Sequence, residues 1–127
     1  RLVLKVIDIN CEIFHFKHKR LVLWWLVIER KNSMDRENQI GIIKFKIKNE
    51  KEYLKKLVKR KEKATEEFKN CSPNEANSKM CEFDMECSHV SDQYIRVKAI
   101  IEVACALDLI SGIEFEELSS EVRNLVL

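Results

Sequence analysis

Thiol and imidazole side chains that bind zinc in other proteins occur close together in one stretch of this sequence, at Cys71, Cys81, Cys87 and His89. Structural zinc sites usually present their ligands in tight pairs, and these residues lack that spacing. On a helix, Cys81 and Cys87 would lie about 240° apart around the axis, and Cys87 and His89 about 200° apart. We therefore predict ordinary thiols here, with no metal site and no cofactor.

A cysteine and histidine pair for nucleophilic catalysis has one candidate, Cys11 with His15. On a strand the two residues share a face, but they lie about 13 Å apart at 3.3 Å per residue, which is beyond hydrogen-bond distance. The chain contains only two glycines, Gly41 and Gly112, so it has no glycine-rich phosphate loop. We predict a non-enzymatic protein with no catalytic residues.

Arg96 is the strongest candidate for an anion-binding side chain. On a helix it lies about 160° around the axis from Lys98, within a face that is otherwise apolar. A guanidinium in that position needs a partner. The partner is either Asp92, in an ordinary ion pair one turn away, or the phosphate or carboxylate of a ligand, which a planar guanidinium suits.

A second candidate for binding anions is a basic surface. Lys44, Lys46 and Lys48 alternate with apolar residues, so a strand would place all three on one face. The helix that follows carries six more basic residues, namely Lys55, Lys56, Lys59, Arg60, Lys61 and Lys63. Because glutamates are interspersed, this surface is either a solvated face or a surface that binds nucleic acid.

These side chains would be positioned by an α+β fold. Segments rich in β-branched and aromatic residues predict a four-stranded antiparallel β-meander. Its strands are residues 2–8, 11–18, 20–30 and 39–48. In the third strand, Trp24 and Trp25 would face opposite sides of the sheet. Since three helices readily cover one face only, we expect one tryptophan at a subunit or partner interface, unless the helices wrap around the sheet.

Three helices follow the predicted sheet. Apolar residues three and four apart predict the first over residues 51–69 and a long second helix over about 73–110. At about 57 Å, the second helix needs a break near residues 88–92, or a helical neighbour or second subunit along its length. Its apolar seam runs through that stretch without a phase shift, so we favour a continuous or kinked helix.

Local signals mark where the second and third helices begin. Ser72 and Glu75 have the spacing of a capping box, and so do Ser111 and Glu114. The section from Tyr94 to Ile110 has few charges, so we expect it to be enclosed on nearly all sides.

Length and composition describe one domain over residues 1–127, with 46% apolar and 35% charged residues. Its net charge of +2 hides a split. Residues 1–69 carry 19 Lys and Arg against 10 Asp and Glu, whereas residues 70–127 carry 4 against 11. The two halves attract each other within a subunit, attract each other between subunits, or face different partners. Compensation within the domain is the simplest of these interpretations.

The cysteines and the hydropathy indicate a cellular location. Five cysteines are an odd number without a paired framework, which favours reduced thiols and a cytoplasmic protein. No apolar run approaches the roughly 20 residues that cross a bilayer, so we expect no membrane association.

Two functions fit these features. The first is a self-associating binding protein that occupies a protein partner or sequesters a small anionic, nucleotide-like ligand. The alternative is a nucleic-acid-binding protein that uses the basic surface of sheet and helix. The candidate interface residues are Trp24, Trp25, Tyr94 and Phe83.

The order of elements resembles that of several phage-encoded anti-defence proteins, in which an N-terminal antiparallel sheet precedes helices in a small chain rich in Lys, Ile, Glu and Asn. Some of those proteins block CRISPR effectors, and others sequester cyclic nucleotide signals. The resemblance implies an inhibitor or a nucleotide sponge, with Arg96 and the strand lysines as phosphate contacts.

Overall fold

The computed structural model describes residues 35–127. Three α-helices make up this part of the chain, namely α1 (Arg36–Lys69), α2 (Ala76–Ala106) and α3 (Gly112–Val126). Within these residues there is no strand. The three predicted strands over 2–8, 11–18 and 20–30 lie outside the described residues, as do Trp24 and Trp25.

The predicted four-stranded β-meander is wrong, because its fourth strand, residues 39–48, is helical and belongs to α1. Asp35 caps this helix by accepting a hydrogen bond from the backbone N–H of Asn38 at 2.8 Å. Ile43 and Ile47 are buried one turn apart, while Phe45 between them is 64% exposed. The alternating residues 44–48 fit a strand locally, but over a longer window the isoleucines continue the apolar stripe of the following helix.

Helices α1 and α2 form a long antiparallel hairpin. Near the connecting loop, Phe68 of α1 stacks on Phe83 of α2 with ring centroids 6.2 Å apart. Further along, Arg60 pairs with Glu86 at 2.8 Å. The helices have 34 and 31 residues, so they are about 51 and 46 Å long. A helix of this length requires a helical neighbour to pack against, and α1 and α2 serve as that neighbour for each other.

The second helix is shorter than the predicted 73–110, but it is helical through residues 88–92. The capping box predicted at its start does not form. Instead the Ser72 carbonyl accepts the N–H of Glu75 at 3.0 Å in a turn, and α2 begins at Ala76.

The capping box at the start of α3 is confirmed. The backbone N–H of Glu114 donates to Ser111 Oγ at 3.1 Å, and Glu114 Oε1 accepts the N–H of Ser111 at 3.2 Å. Together the two bonds satisfy backbone donors that the first turn of a helix leaves free. They fix the point at which α3 begins after the turn.

The turn between α2 and α3 ends the helix with a residue in the left-handed conformation. Asp108 has φ of 57°. Its N–H donates to the carbonyl of Cys105 at 3.0 Å, and the N–H of Leu109 donates to that of Ala104 at 2.9 Å. This pair of bonds is the Schellman motif, in which glycine usually occupies the left-handed position. The guanidinium of Arg36 donates to the Asp108 carbonyl and so ties the start of α1 to this turn.

Replacing Asp108 with Gly is expected to raise the free energy of unfolding by about 0.5–1 kcal/mol, because glycine adopts positive φ without steric cost. Urea denaturation followed by circular dichroism measures the change. Asp108→Ala is the control, since it removes the negative charge near the C-terminus of α2 but keeps the Cβ that glycine lacks. An equal gain in both variants would assign the effect to charge, and a loss in Asp108→Gly would contradict the prediction.

The core lies at the end of the hairpin where α3 packs. As the sequence predicts, the C-terminal half of α2 is enclosed on nearly all sides. Its buried apolar residues are Val97, Ala99, Ile100, Ile101, Val103 and Ala104. Val122 of α3 completes this cluster, whereas Met80 and Met85 in the other half of α2 are exposed. No helix within residues 35–127 is long and apolar enough to cross a membrane.

Opposite charges meet across the helices. Lys44 and Lys51 of α1 pair with Glu114 and Glu121 of α3, at 3.0 and 2.9 Å. The ion pair between Arg60 and Glu86 does the same between α1 and α2. These contacts join the basic part of the chain to the acidic part within one molecule, as compensation inside the domain requires.

Candidate functional site

A polar cluster joins α1 and α2 in the middle of the hairpin, with Glu50 at its centre. Glu50 Oε1 lies 3.0 Å from the Lys46 ammonium. Glu50 Oε2 accepts a hydrogen bond from Gln93 Nε2 at 2.7 Å and lies 3.2 Å from Arg96 Nε. Gln93 is a buried polar residue, and its amide also donates to the backbone carbonyl of Glu50 at 2.9 Å. The cluster therefore fixes the register of α1 against α2.

Arg96 has its ion pair with Glu50 on the neighbouring helix, whereas the sequence offered Asp92 or the anionic group of a ligand. The distance of 3.2 Å is that of an ion pair, but the N–H of Arg96 Nε is not aligned for a hydrogen bond. We treat the contact as electrostatic, because the charges attract at this distance whatever the angle. Nε is buried, so the 38% exposure of the Arg96 side chain lies on its other atoms.

The Glu50 carboxyl is held in its ionised form. Burial acts to raise its pKa, but hydrogen bonds from Gln93 and Lys46, and the charges of Arg96 and Lys46, outweigh burial. The pKa therefore lies below the ordinary value of 4.5. At neutral pH, Arg96 and Lys46 share this permanent counter-charge.

An open groove of about 250 Å³ runs beside this cluster, between α1 and α2. Its lining residues are Tyr53, Leu57, Arg60, His89, Asp92, Gln93 and Arg96. Arg96 is fixed at one end by Glu50, and Arg60 at the other end by Glu86 at 2.8 Å. The two α1 positions, Glu50 and Arg60, lie about 15 Å apart along the helix axis. We call this feature the arginine groove.

The arginine groove presents the positive side of each ion pair to solvent. The side chains of Glu50 and Glu86 are only 14% and 13% exposed, compared with 38% and 54% for Arg96 and Arg60. The carboxylates are thus more buried than the arginine side chains that pair with them, and part of each arginine side chain stays open to solvent. Asp92 is the exposed acidic residue of the lining, and its charge opposes an anion.

The lysines predicted as ligand contacts do not share a face. Successive even positions on a helix lie about 200° apart, so Lys46 lies on the opposite side of α1 from Lys44 and Lys48, which are one turn apart. Lys44 pairs with Glu114 of α3, and Lys48 lines a separate groove of about 230 Å³ between α1 and α3. Of the predicted ligand residues, the structure brings Arg96 and Lys46 together through Glu50, and it brings Lys44 and Lys48 together in the groove between α1 and α3.

Sequence reasoning missed His89 and Tyr53 as lining residues, and it did not connect Arg60 with Arg96. A signal was available in the spacing. Positions 86, 89, 93 and 96 of α2 recur at three- and four-residue intervals, as do positions 50, 53, 57 and 60 of α1, so each set forms one stripe along its helix. Only the pairing of the two helices shows that the stripes meet.

The predicted interface residues that the structure describes have neighbours within the chain. Phe83 is half-buried and stacks on Phe68. Tyr94 is half-buried and packs against the core. That these two residues contact a partner stays a prediction, and Trp24 and Trp25 lie outside the described residues.

The cysteines of the described region are free thiols. Cys81 is exposed, and the half-buried residues are Cys71, Cys87 and Cys105. Cys71 Sγ donates to the backbone carbonyl of Phe68 at 3.1 Å, close to the end of α1. Between residues 35 and 127, no three His, Cys, Asp or Glu side chains are grouped as a metal ion requires.

Comparison with protein-family models, with curated proteins and with solved structures gave no match for this chain. The resemblance to phage-encoded anti-defence proteins depended on an N-terminal sheet followed by helices. Because the fourth strand of that sheet is part of α1, the order of elements no longer supports it. Function is therefore inferred from the arginine groove and the surfaces around it.

Proposed function

We propose that this protein is a non-enzymatic binding protein that holds the phosphate or carboxylate group of a small ligand in the arginine groove. The observation that carries the proposal is that two guanidiniums, from two helices, line one open groove and are each oriented by a mostly buried carboxylate. Arginine donors match the geometry of phosphate and carboxylate oxygens. Since Arg60 and Arg96 are already held in place, a ligand loses less affinity in ordering them.

The dimensions of the groove limit what it can hold. Its volume of about 250 Å³ is just below the usual range of small-molecule sites, which begins at about 300 Å³. A phosphate group with a small organic part fits this volume. Tyr53, which is 49% exposed, supplies apolar surface for that part between the two charged ends, and the buried Leu57 lies beneath it.

Sulfate is a suitable probe, because it has the shape of phosphate and stays a dianion across the pH range of interest. We expect Arg60→Gln and Arg96→Gln each to weaken sulfate binding at its own end of the groove by about tenfold or more, the usual loss for a charge-assisted hydrogen bond. Chemical-shift titration of the ¹⁵N-labelled full chain measures the affinity and also shows whether each variant is folded.

Lys56→Gln is the matched control for those variants. Lys56 is exposed on the same helix, has no ion pair among the described residues, and lies outside the groove lining. Its replacement removes the same charge and should change sulfate affinity less than twofold. Unchanged binding in both folded arginine variants would reject the groove, and equal losses in all three variants would indicate general electrostatic attraction.

Nucleic-acid binding is the second candidate, and exposed lysines of α1 favour it. Lys56 and Lys59 are exposed without an ion pair in the described part of the chain. Binding through such lysines should fall steeply between 50 and 200 mM salt, because it releases counterions. Titration with single- and double-stranded oligonucleotides tests this, and a flat salt dependence or no binding would reject it.

Self-association stays part of the proposal. Phe45 on α1, Met85 on α2 and Ile113 on α3 are large exposed apolar side chains, of the kind that interfaces bury. Light scattering at high protein concentration measures the molecular mass in solution and so tests self-association. A strictly monomeric mass would reject self-association without affecting the arginine groove.

A further inference from the structure

One carboxylate oxygen in the hairpin is buried without a hydrogen-bond donor. Glu86 Oε1 accepts a hydrogen bond from Arg60, but Glu86 Oε2 has no hydrogen-bond partner in the described part of the chain. The imidazole Nδ1 of His89, one turn along α2, lies 3.6 Å from this oxygen. That distance is too long for a hydrogen bond, yet a small movement of the ring would close it. An unpartnered buried carboxylate oxygen favours such a donor.

His89 also lines the arginine groove. A neutral imidazole carries a proton on one nitrogen only, so a ring that donates to Glu86 through Nδ1 has no donor left at Nε2. A protonated imidazole carries a proton on both nitrogens. It can therefore donate to Glu86 Oε2 and to an anion in the groove at the same time.

We propose that His89 is a third anion contact of the arginine groove, active when its imidazole is protonated, with Glu86 as the group that orients it. This inference rests on the proposed function, since it concerns the same groove and the same class of ligand. It makes the protein a binder whose affinity for phosphate-like anions is higher when the His89 imidazole carries a proton on both nitrogens.

The charged and titratable groups that face His89 come from both helices. Arg60 of α1 and Arg96 of α2 carry positive charge, whereas Glu86 and Asp92 of α2 carry negative charge. Tyr53 of α1 also lines this side. A bound anion adds negative charge beside His89 and so promotes protonation of its imidazole. By linkage, protonation of His89 promotes anion binding to the same extent.

The test is a sulfate titration of the full chain at pH 8.0 and pH 5.5, at constant ionic strength, followed by ¹⁵N chemical shifts. Sulfate is a dianion at both pH values, so any change in its affinity arises from a change in the protein. We expect the affinity to be at least threefold higher at pH 5.5. In His89→Gln, which keeps a polar side chain of similar size but does not titrate, the ratio should fall to about one.

The chain contains two other histidines, His15 and His18, and they supply the control. A variant with His15→Gln and His18→Gln should keep the pH ratio of the unmodified chain. Equal sulfate affinity at both pH values, or a ratio that persists in His89→Gln, would overturn the role of His89 and leave the groove intact. Absence of sulfate binding at either pH would instead overturn the proposed function itself.

Discussion

Replacing Ile47 with Ala is expected to lower the free energy of unfolding by about 2–5 kcal/mol. Ile47 is 2% exposed and belongs to the core that α1 forms with α2 and α3. Truncation removes buried methyl groups and leaves a cavity, and both effects reduce stability. Urea denaturation monitored by circular dichroism gives the difference between the variant and the unmodified chain.

Phe45→Ala is the matched control, because the two residues are only two positions apart. In a strand they would share one face and both would be costly to truncate. In α1, Phe45 is 64% exposed, so its truncation should change the free energy of unfolding by no more than about 0.5 kcal/mol. Comparable large losses for the two variants would contradict a helix over residues 39–48.

Replacing Glu50 with Ala should cost about 3 kcal/mol, because it leaves the buried Gln93 amide with one partner fewer and Arg96 without its counter-charge. Glu121→Ala is the matched control. Glu121 also forms an ion pair between helices, with Lys51 at 2.9 Å, but its side chain is exposed, so its loss should cost less than about 1 kcal/mol. Equal costs for the two glutamates would show that the central cluster adds no more than a surface ion pair.

The contribution of Glu50 should also depend on pH. Because its pKa in the folded state is below the ordinary 4.5, the carboxylate contributes its full stability above about pH 4.5 and loses it as the pH falls through the folded value. We expect the gap in unfolding free energy between the unmodified chain and Glu50→Ala to be constant from pH 7 to 5 and to narrow towards pH 3. Denaturation curves across this range measure the gap, and a gap that does not narrow would contradict an ionised, stabilised Glu50.

Local signals predicted the helical part of the fold well and the N-terminal boundary of α1 poorly. The capping box of Ser111 and Glu114 needs only residues within one turn, and it forms as predicted. The one predicted at Ser72 does not form, because a turn bond from Glu75 to the Ser72 carbonyl takes its place. Residues 44–48 alternate like a strand, so a short window cannot distinguish the two periods there.

The candidate site was predicted in part. The sequence identified Arg96 as a charge on a largely apolar face that needed a partner, and the structure supplies one. That partner, Glu50, is 46 positions away along the chain, whereas helical spacing predicts contacts only between residues within a turn or two of each other. The prediction of one lysine face is wrong because it required a strand, and on a helix Lys44 and Lys46 diverge.

The sequence by itself determined the elements whose signals lie within a turn or two, which are the second and third helices, the cap at Ser111 and the enclosure of the C-terminal half of α2. Those features depend on local hydrogen bonds and on apolar periodicity. Only the tertiary structure decided that residues 39–48 are helical, because burial of Ile43 and Ile47 requires the neighbouring helices. It also decided that Arg60 and Arg96 line one groove, because that depends on the register in which α1 and α2 pair.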